Sequence, residues 1–257
     1  EKKITKKTKA IIVVHMYGII CKIRQIKKIA KKYRLKIIED ASHAHGATLN
    51  GKKAGNFGDI GIFSLHQRKN IPSGEGGIVV CKNKKIANSI FKLRSFGHSE
   101  LSYNYRMSEF SAVLALYFLK KINKENSIRQ KNAEYLIRKL KKNTKIKFYY
   151  PDKDRKSSFY KLIINFNLKK KIKLNYIVKK LNKINIPVSR VYQPLNIHSH
   201  FNKKNLKKLN INGVKNSNKY PVTDQLYKYK LLQIDINSLT KLYHLDYLAK
   251  HLENLKL

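Results

Sequence analysis

The chain has 257 residues, of which 42% are hydrophobic, so it is long and apolar enough to bury a real core and is not a disordered protein. Its formal net charge of +42 would normally suggest nucleic-acid binding, but the basic residues are mostly Lys and are spread along the whole chain among many Asn and Ile residues. This even spread, without zinc-finger, RNP-like or basic-heptad spacing, favours a compositional bias with solvated lysines over a specific nucleic-acid surface.

The cysteine count and the hydropathy pattern exclude two further classes of protein. The chain has 2 cysteines, Cys21 and Cys81, without metal-ligand spacing, which excludes a disulfide scaffold and fits a reducing compartment, so we expect a cytoplasmic protein. No apolar run approaches the length of a membrane span and no signal peptide is recognisable, so no membrane partner is expected. The sequence starts at Glu1, almost directly on a strand-like segment, and we expect that an N-terminal part is missing.

The first predicted elements form a β-α-β unit. Residues 10–15 are a short apolar run that predicts a buried strand, and apolar residues then recur at helical spacing up to about Tyr33. A second short strand follows at residues 35–38, with Glu39 and Asp40 at its carboxyl end. Such a unit implies two parallel strands, and ligands of open α/β sheets bind at the carboxyl ends of strands, so Asp40 lies where chemistry is expected.

The rest of the chain predicts further strands and helices. The later strand candidates are residues 60–64, 77–81, 159–166 and a segment from 186. The later helix candidates are residues 84–96, 108–140 and 176–181, with Ser108 as the N-cap of the longest. The first two of these strands flank a loop that contains Lys69, and the Asn- and Lys-rich residues 202–219 predict an exposed loop. We therefore predict an α/β protein with a large domain over residues 1–123 and a smaller α/β domain over residues 124–257.

Three residue types at these strand ends suit the cofactor pyridoxal phosphate (PLP). Asp40 is an acid that would keep the pyridinium nitrogen protonated, Ser64 is a hydroxyl that would bind the phosphate, and Lys69 is an amine that would form the Schiff base. Lys69 precedes the glycine-rich segment Gly74–Gly77, where the backbone is able to pass close to a ligand, and burial there would lower the pKa of the lysine. His43, just after Asp40, is placed to pack on the cofactor ring or to contact its 3-hydroxyl group.

Each of these residues also has a structural alternative. Asp40 would serve equally as a loop or helix-capping residue, and Ser64 as a small residue at a strand end. His43 and His45 would serve as structural histidines. In a chain so rich in Lys, Lys69 carries almost no information by itself, and its context is what points to the cofactor.

The segment before the longest predicted helix is a second place for phosphate contacts. Residues 103–109 either form an N-cap box with aromatic packing or place Asn104 or Arg106 on a phosphate group. A metal site is not expected in the group of His, Asp and Glu residues from Glu39 to His45, because their spacing matches no standard ligand set.

An ordered set of segments extends over nearly the whole chain: residues 8–18, 39–47, 58–64, 69–70, 74–77, 104–109, 191–195, 220–224 and 231–240. Together these segments resemble the DegT/DnrJ-type sugar aminotransferases, which have the aspartate aminotransferase-like (type I) PLP fold. The resemblance implies a large domain with a mostly parallel sheet and a small C-terminal α/β domain. By the same resemblance, Lys69 matches the catalytic lysine that forms the Schiff base, Asp40 the partner of the pyridinium nitrogen and Ser64 a phosphate ligand. His43 falls beside the cofactor ring.

The resemblance also implies a homodimer with shared active sites. Asn104 matches a residue that reaches into the neighbouring subunit's site, with Arg106 as its companion. The family's N-terminal segment, with a Gly-Thr phosphate loop and an aromatic residue that stacks on the cofactor, is absent from this sequence. The residues His66-Gln67-Arg68 before Lys69 are unusual in their charge, and the presence of lysine rather than histidine at position 69 favours transamination over dehydration.

We expect a PLP-dependent aminotransferase of amino-sugar and polysaccharide biosynthesis. Its substrate would be a keto sugar, nucleotide-linked, and its amino donor an amino acid, with glutamate as the first choice. One alternative is an aminotransferase for cyclitols or simple keto sugars, which the variant Ser42-His43-Ala44-His45 favours. Another is a non-catalytic relative that keeps the fold. A polyanion-binding protein is a third class, and for this chain only weak, unselective nucleic-acid binding is expected.

Overall fold

The computed structural model describes residues 1–96, 101–168, 174–198, 205, 220–237 and 239–255. The strands are β1 (Ala10–Val14), β2 (Lys36–Asp40), β3 (Thr48–Leu49), β4 (Lys52–Lys53), β5 (Ile60–Ser64), β6 (Gly77–Cys81), β7 (Ile146–Phe148), β8 (Arg155–Lys156), β9 (Leu162–Phe166), β10 (Val188–Arg190) and β11 (Leu231–Ile234). The helices are α1 (Ile23–Lys32), α2 (Lys84–Arg94), α3 (Glu109–Lys139), α4 (Leu174–Asn182), α5 (Pro221–Tyr229) and α6 (Leu242–Glu253). Short 3-10 helices lie at Met16–Gly18 and Leu195–Ile197.

The chain folds into two compact units that interleave along the sequence. The first unit comprises Glu1–Ala133, Tyr150–Tyr160 and Ile236–Leu239. The second unit comprises Glu134–Tyr149, Lys161–Asp235 and Thr240–Leu257. The domain boundary expected at residue 124 lies within α3, and its place stays a prediction. The exposed loop predicted at residues 202–219 lies outside the described residues, apart from Asn205.

The first unit contains a four-stranded sheet with the order β1-β2-β5-β6. The pairs β1-β2 and β2-β5 are parallel, and β6 is an antiparallel edge strand beside β5. The four strands predicted in this part of the chain are thereby confirmed to within two residues at each end. Because β1, β2 and β5 run in the same direction, their carboxyl ends meet at one edge of the sheet.

The two faces of this sheet differ in burial. One face is covered: Val13 and Ile37 are 4% exposed and form a core with Ile23 and Ala30 of α1. On the opposite face Ile12 remains 67% exposed, which follows from the alternation of side chains along a strand. The apolar side of α1 therefore covers one face of the sheet, and the helix predicted in this place is confirmed.

The longest helix, α3, is confirmed as one continuous element. The Oγ atom of Ser108 accepts a hydrogen bond of 3.2 Å from the Ser111 N–H, so Ser108 caps the helix as predicted. Ala115 and Ile122 of α3 are buried against Leu65 and Ile71. This cluster packs the loop residues on either side of Lys69 against the helix.

The second unit is built on a sheet in which every neighbouring pair is antiparallel, with the order β10-β11-β9-β7. Its core consists of fully buried residues of β9, α4 and β11, among them Leu162, Ile164, Ile177 and Leu232. The predicted strand at residues 159–166 was too long, because β9 begins only at Leu162. Phe159 has a φ of +42°, a left-handed conformation that an extended strand excludes. No helix in the described part of the chain is both long and apolar enough to cross a membrane.

Candidate active site

The carboxyl edge of the parallel strands brings together two of the residues predicted from the sequence. Asp40 ends β2, and it lies opposite Val14 of β1 and Ile62 of β5. Ser64 ends β5. The backbone N–H of His15, directly after β1, donates a hydrogen bond of 3.0 Å to the Asp40 carbonyl and so holds the ends of β1 and β2 together.

Glu39 and Asp40 are adjacent acids, but they point to opposite faces of the sheet, as successive residues of a strand do. Glu39 is 0% exposed, and its Oε2 accepts hydrogen bonds from His15 Nε2 at 2.9 Å and from the Gly55 N–H at 2.8 Å. Its Oε1 accepts from the N–H groups of Phe57 at 2.6 Å and Gly58 at 2.5 Å. Burial raises the pKa of Glu39, but the hydrogen bonds from His15, Gly58 and Gly55 outweigh it, so the pKa lies below its usual value. Glu39 is therefore a buried anchor for the loop after β4.

Asp40 lies on the less covered face and is half-buried. Its Oδ1 accepts a hydrogen bond of 3.0 Å from the Ser42 N–H, which shapes the turn after the strand. Burial lowers the pKa of Lys69, and the Asp40 carboxylate acts in the opposite direction. Asp40 is thus close enough to Lys69 to act on its charge, and the structure brings the predicted acid and amine into one site.

Lys69 lies in a hairpin loop between β5 and β6. Backbone hydrogen bonds close this loop, from the Leu65 N–H to the Gly76 carbonyl at 2.9 Å and from the Gln67 N–H to the Gly74 carbonyl at 2.7 Å. Gly74 has a φ of +87°, and a Cβ atom on Gly76 would lie only 2.5 Å from the Sδ atom of Met107. The glycines predicted to bend the chain after Lys69 are therefore needed both for the turn and for close packing.

Ser64 stands at the entrance of the same loop. Its Oγ accepts a hydrogen bond of 3.3 Å from the His66 N–H, and its side chain is half-buried. Accepting this bond does not use the hydroxyl hydrogen, which is therefore able to donate to a phosphate oxygen.

His43 lies in the turn after Asp40 and is stacked on an aromatic residue that the sequence did not point to. The ring centroids of His43 and Tyr160 are 4.2 Å apart, with 20° between the ring planes. The Nζ atom of Lys69 is 5.1 Å from the centroid of the Tyr160 ring. The Nδ1 atom of His43 accepts a long hydrogen bond of 3.4 Å from the Tyr17 N–H. Tyr160 therefore joins the predicted residues His43 and Lys69.

His45 is the most deeply buried titratable side chain near this loop. It is 3% exposed, and neither ring nitrogen has a hydrogen-bond partner of acceptable geometry among the described residues. Burial lowers the pKa of His45 to about 4, while the nearby Ser64 backbone acts in the opposite direction. The imidazole is consequently neutral at neutral pH.

Asn104 and Arg106 form a separate exposed group before α3. The Nε atom of Arg106 donates to Oδ1 of Asn104 at 3.2 Å, and the guanidinium lies 4.5 Å from the centroid of the Phe96 ring. Tyr103 and Tyr105 stack beside them with centroids 4.8 Å apart. Both side chains therefore pack within their own segment, and their predicted contact with a phosphate or a neighbouring site stays a prediction.

The donor set at the carboxyl edge fits PLP chemically. The half-buried carboxylate of Asp40 suits a protonated ring nitrogen, and the amine of Lys69, with its lowered pKa, suits a carbonyl carbon. The Ser64 hydroxyl is able to donate a hydrogen bond to a phosphate oxygen. The His43 imidazole is a planar ring of the kind that packs on a planar cofactor. Among the described residues, no group of three or more His, Cys, Asp or Glu residues is arranged to hold a metal ion.

Comparisons with known proteins identify the family of the chain. A sequence model of the DegT/DnrJ/EryC1/StrS aminotransferase family matches residues 1–249 of the chain. A GDP-perosamine synthase of Vibrio cholerae is 38% identical over 132 residues, which are 48% of this chain and 36% of that protein. An L-glutamine:2-deoxy-scyllo-inosose aminotransferase of Streptoalloteichus tenebrarius is 33% identical over 154 residues, 53% of this chain and 36% of that protein. These matches span about a third of the length of each of the two relatives.

The fold has solved counterparts. PseC of Helicobacter pylori, an aminotransferase involved in the biosynthesis of pseudoaminic acid, matches with a TM-score of 0.86 and 25% sequence identity. The match covers 97% of this chain and 67% of that chain. Nearly all of this chain therefore has the architecture of a sugar aminotransferase.

Proposed function

The chain belongs to the DegT/DnrJ/EryC1/StrS aminotransferase family, and from this premise we propose that it is a PLP-dependent aminotransferase that converts a keto sugar, nucleotide-linked, into an amino sugar with an amino acid donor. The observation that carries the proposal is that Lys69 is half-buried, with its pKa lowered by burial, and lies within electrostatic reach of Asp40, which ends β2 at the carboxyl edge of the parallel strands. In a chain with 57 Lys and Arg residues, an amine in this setting is not a solvated surface lysine.

When bound, PLP supplies an aldehyde for the amine and an electron sink for the carbanion at the α-carbon of the amino acid. Asp40 would hold a proton on the ring nitrogen by ion pairing, and the Ser64 hydroxyl would donate a hydrogen bond to the phosphate. His43 would contact the cofactor ring. Lys69 would hold the cofactor, and its free amine would act as the general base and general acid that moves the proton of the α-carbon.

The lowered pKa of Lys69 suits this work. A general base is most effective when its pKa lies near the working pH, because the amine is then often unprotonated and remains basic enough to accept a proton. Asp40 limits the shift, since its negative charge stabilises the ammonium form. Asp40 would therefore have two roles: it would ion-pair with the ring nitrogen of the cofactor, and it limits how far burial lowers the pKa of Lys69.

A keto sugar linked to a nucleotide is the substrate class that the relatives support best. The matching Vibrio cholerae protein is named for the synthesis of GDP-perosamine. A second candidate is a keto cyclitol, supported by the match to an aminotransferase for 2-deoxy-scyllo-inosose, whose name also gives L-glutamine as the donor. Assays with GDP-linked and UDP-linked 4-keto or 3-keto sugars and with a keto cyclitol, each with glutamate and with glutamine, separate these candidates.

The decisive experiment compares PLP binding and turnover of the purified chain with those of Lys69→Ala. We expect PLP to give the wild-type protein an absorbance band of bound cofactor that the variant lacks. We also expect turnover to fall by at least the roughly 10²–10⁴-fold that a positioned general base contributes. Lys82→Ala, which removes an exposed lysine, is the matched control and should behave like the wild type.

Full turnover by Lys69→Ala would falsify the proposed function. A wild-type chain that binds PLP through Lys69 but aminates no keto sugar or cyclitol would instead point to the non-catalytic alternative.

A further inference from the structure

The segment Ser157–Tyr160 connects the turns that build the candidate site. The Oγ atom of Ser157 and the N–H of Ser158 both donate to the Gly18 carbonyl, at 3.0 and 3.1 Å. The Oγ atom of Ser158 donates to the His43 carbonyl at 2.9 Å, and the side-chain amide of Asn70 donates to the Ser158 carbonyl at 3.0 Å. The turn after β1, the turn after Asp40 and the loop of Lys69 are thus held by one segment.

The contacts of this segment leave little freedom. Ser157, Ser158 and Phe159 are at most 2% exposed, and a Cβ atom on Gly18 would lie 2.5 Å from Ser158 Oγ. Phe159 has a φ of +42°, which turns the chain so that the next residue, Tyr160, points toward His43 and Lys69 rather than continuing a strand. A left-handed conformation at a Phe costs conformational energy and persists only where the surroundings impose it.

We propose that Tyr160 is a positioning residue, which fixes the ring plane of His43 for the cofactor and closes the side of the site next to the Lys69 amine. Tyr160 is 8% exposed, and its ring lies 4.2 Å from the His43 ring at 20°. The hydrogen bond of 3.4 Å from the Tyr17 N–H to His43 Nδ1 is long and restrains the imidazole only weakly. The near-parallel contact with Tyr160 adds a restraint on the ring plane, and the hydrogen bond from Ser158 to the His43 carbonyl holds the backbone of the same turn before any cofactor binds.

The role of Tyr160 rests on the proposed function, because His43 needs a fixed plane only if a planar cofactor lies beside it. The ring of Tyr160 carries the contact, since both His43 and the Lys69 Nζ atom lie against the ring. Removing the ring should therefore weaken PLP binding by roughly two- to tenfold, the size expected for one aromatic pair.

The test is a double-mutant cycle on PLP affinity. The dissociation constant of PLP is measured from the absorbance that Lys69→Ala lacks, for the wild type, Tyr160→Phe, Tyr160→Leu, His43→Leu and the double variant Tyr160→Leu/His43→Leu. We expect Tyr160→Leu to bind PLP two- to tenfold more weakly than the wild type, and Tyr160→Phe, which keeps the ring, to bind PLP more tightly than Tyr160→Leu. In the His43→Leu background, Tyr160→Leu should add no further loss, because the residue acts through His43. Tyr33→Leu removes an exposed tyrosine at the end of α1, and it should bind PLP like the wild type.

Equal losses from Tyr160→Leu in both backgrounds, or no loss in either, overturn the proposal, because a merely structural residue would give additive effects. A second measurement needs neither a variant nor the cofactor. In the wild-type apo-protein, nuclear Overhauser contacts should join the ring protons of His43 and Tyr160, and the His43 ring protons should be shifted upfield by the stacked ring. Their absence contradicts the proposal even if Tyr160→Leu fails to fold. If the wild-type chain shows no Lys69-dependent PLP absorbance while these contacts are present, the proposed function fails and the pairing of the two rings stands.

Discussion

The two sides of the sheet at the end of β2 use the same functional group in opposite ways. Glu39 is 0% exposed and accepts four hydrogen bonds, from His15, Gly55, Phe57 and Gly58. Asp40, the next residue, is half-buried, and within the described residues its carboxylate accepts a single hydrogen bond, from Ser42. Because side chains alternate along the strand, the Glu39 carboxylate uses its acceptor positions within the protein, while the Asp40 carboxylate is able to accept further hydrogen bonds.

This difference shows which acid belongs to the scaffold and which to the chemistry. A buried carboxylate with all its acceptor positions used has nothing left to offer a ligand, and its loss damages the fold. A half-buried carboxylate with positions to spare is able to take a protonated ring nitrogen, and its field already acts on Lys69. The sequence alone does not show which of the two adjacent acids has which role, because the role depends on the groups that approach each face of the sheet.

The largest effect is expected from Glu39→Gln. The substitution removes the charge to which His15 and the backbone N–H groups of Gly55, Phe57 and Gly58 are hydrogen-bonded, so it should lower the free energy of unfolding by about 3 kcal/mol or more, since one hydrogen bond to a charged group contributes about 1.5–3 kcal/mol. Urea denaturation followed by circular dichroism measures this.

The matched control for Glu39→Gln is Asp40→Asn, at the next residue and also an acid-to-amide change. We expect it to alter the free energy of unfolding by less than about 1 kcal/mol while it impairs catalysis. If the two substitutions destabilised the protein equally, the division between scaffold and chemistry would be wrong.

The next effect concerns His45, a buried polar group that lacks the hydrogen bonds Glu39 has. Its native pKa of about 4 is lower than the 6.5 of a free histidine. Between pH 6.5 and 4 the unfolded chain binds a proton that the native protein does not, so stability falls as the pH falls through this window, by up to about 3 kcal/mol. His45→Leu should flatten the curve of stability against pH in this window.

Glu39 loses its stabilising effect in a lower pH range than His45. Its native pKa is lower than the usual 4.5, so its stabilisation is complete above pH 4.5 and is lost as the pH falls from there through the native value. Denaturation measured from pH 7 to 3 should therefore show a His45-dependent decline first and a Glu39-dependent decline below it. An unchanged profile of His45→Leu between pH 6.5 and 4 would contradict the assignment.

The smallest effect is a shift in the pKa of Lys69. In the apo-protein, competitive acetylation followed by mass spectrometry of the Lys69 peptide should give a pKa lower than the 10.5 of an ordinary lysine, because burial disfavours the ammonium. Asp40→Asn should lower it further, since the carboxylate stabilises the ammonium form.

Lys82, an exposed lysine of the first unit directly after β6, is the internal reference for this labelling. A Lys69 that titrates together with Lys82, or one whose pKa rises in Asp40→Asn, would separate Lys69 from Asp40 and remove the basis of the site.

Much of the first unit could be predicted from local patterns. The apolar runs at β1, β2, β5 and β6 gave their positions to within two residues, and Ser108 marked the start of α3. The same patterns placed Asp40, Ser64 and Lys69 at strand ends or in the connecting loop. The start of β9 was predicted too early, because the left-handed turn at Phe159 cannot be recognised from the pattern of apolar residues.

The sequence by itself determined β1, β2, β5, β6 and α3, the order of the motifs and the residue types that suit PLP, because these helices, strands and turns depend on neighbouring residues. Only the tertiary structure decided that Glu39 is an anchor while the charge of Asp40 acts on Lys69, and that Tyr160 stacks on His43. These contacts join residues far apart in the chain, such as Ser158 and His43, which are 115 positions apart. No local periodicity encodes such a contact, since it exists only once the sheet, its loops and the returning segment have packed together.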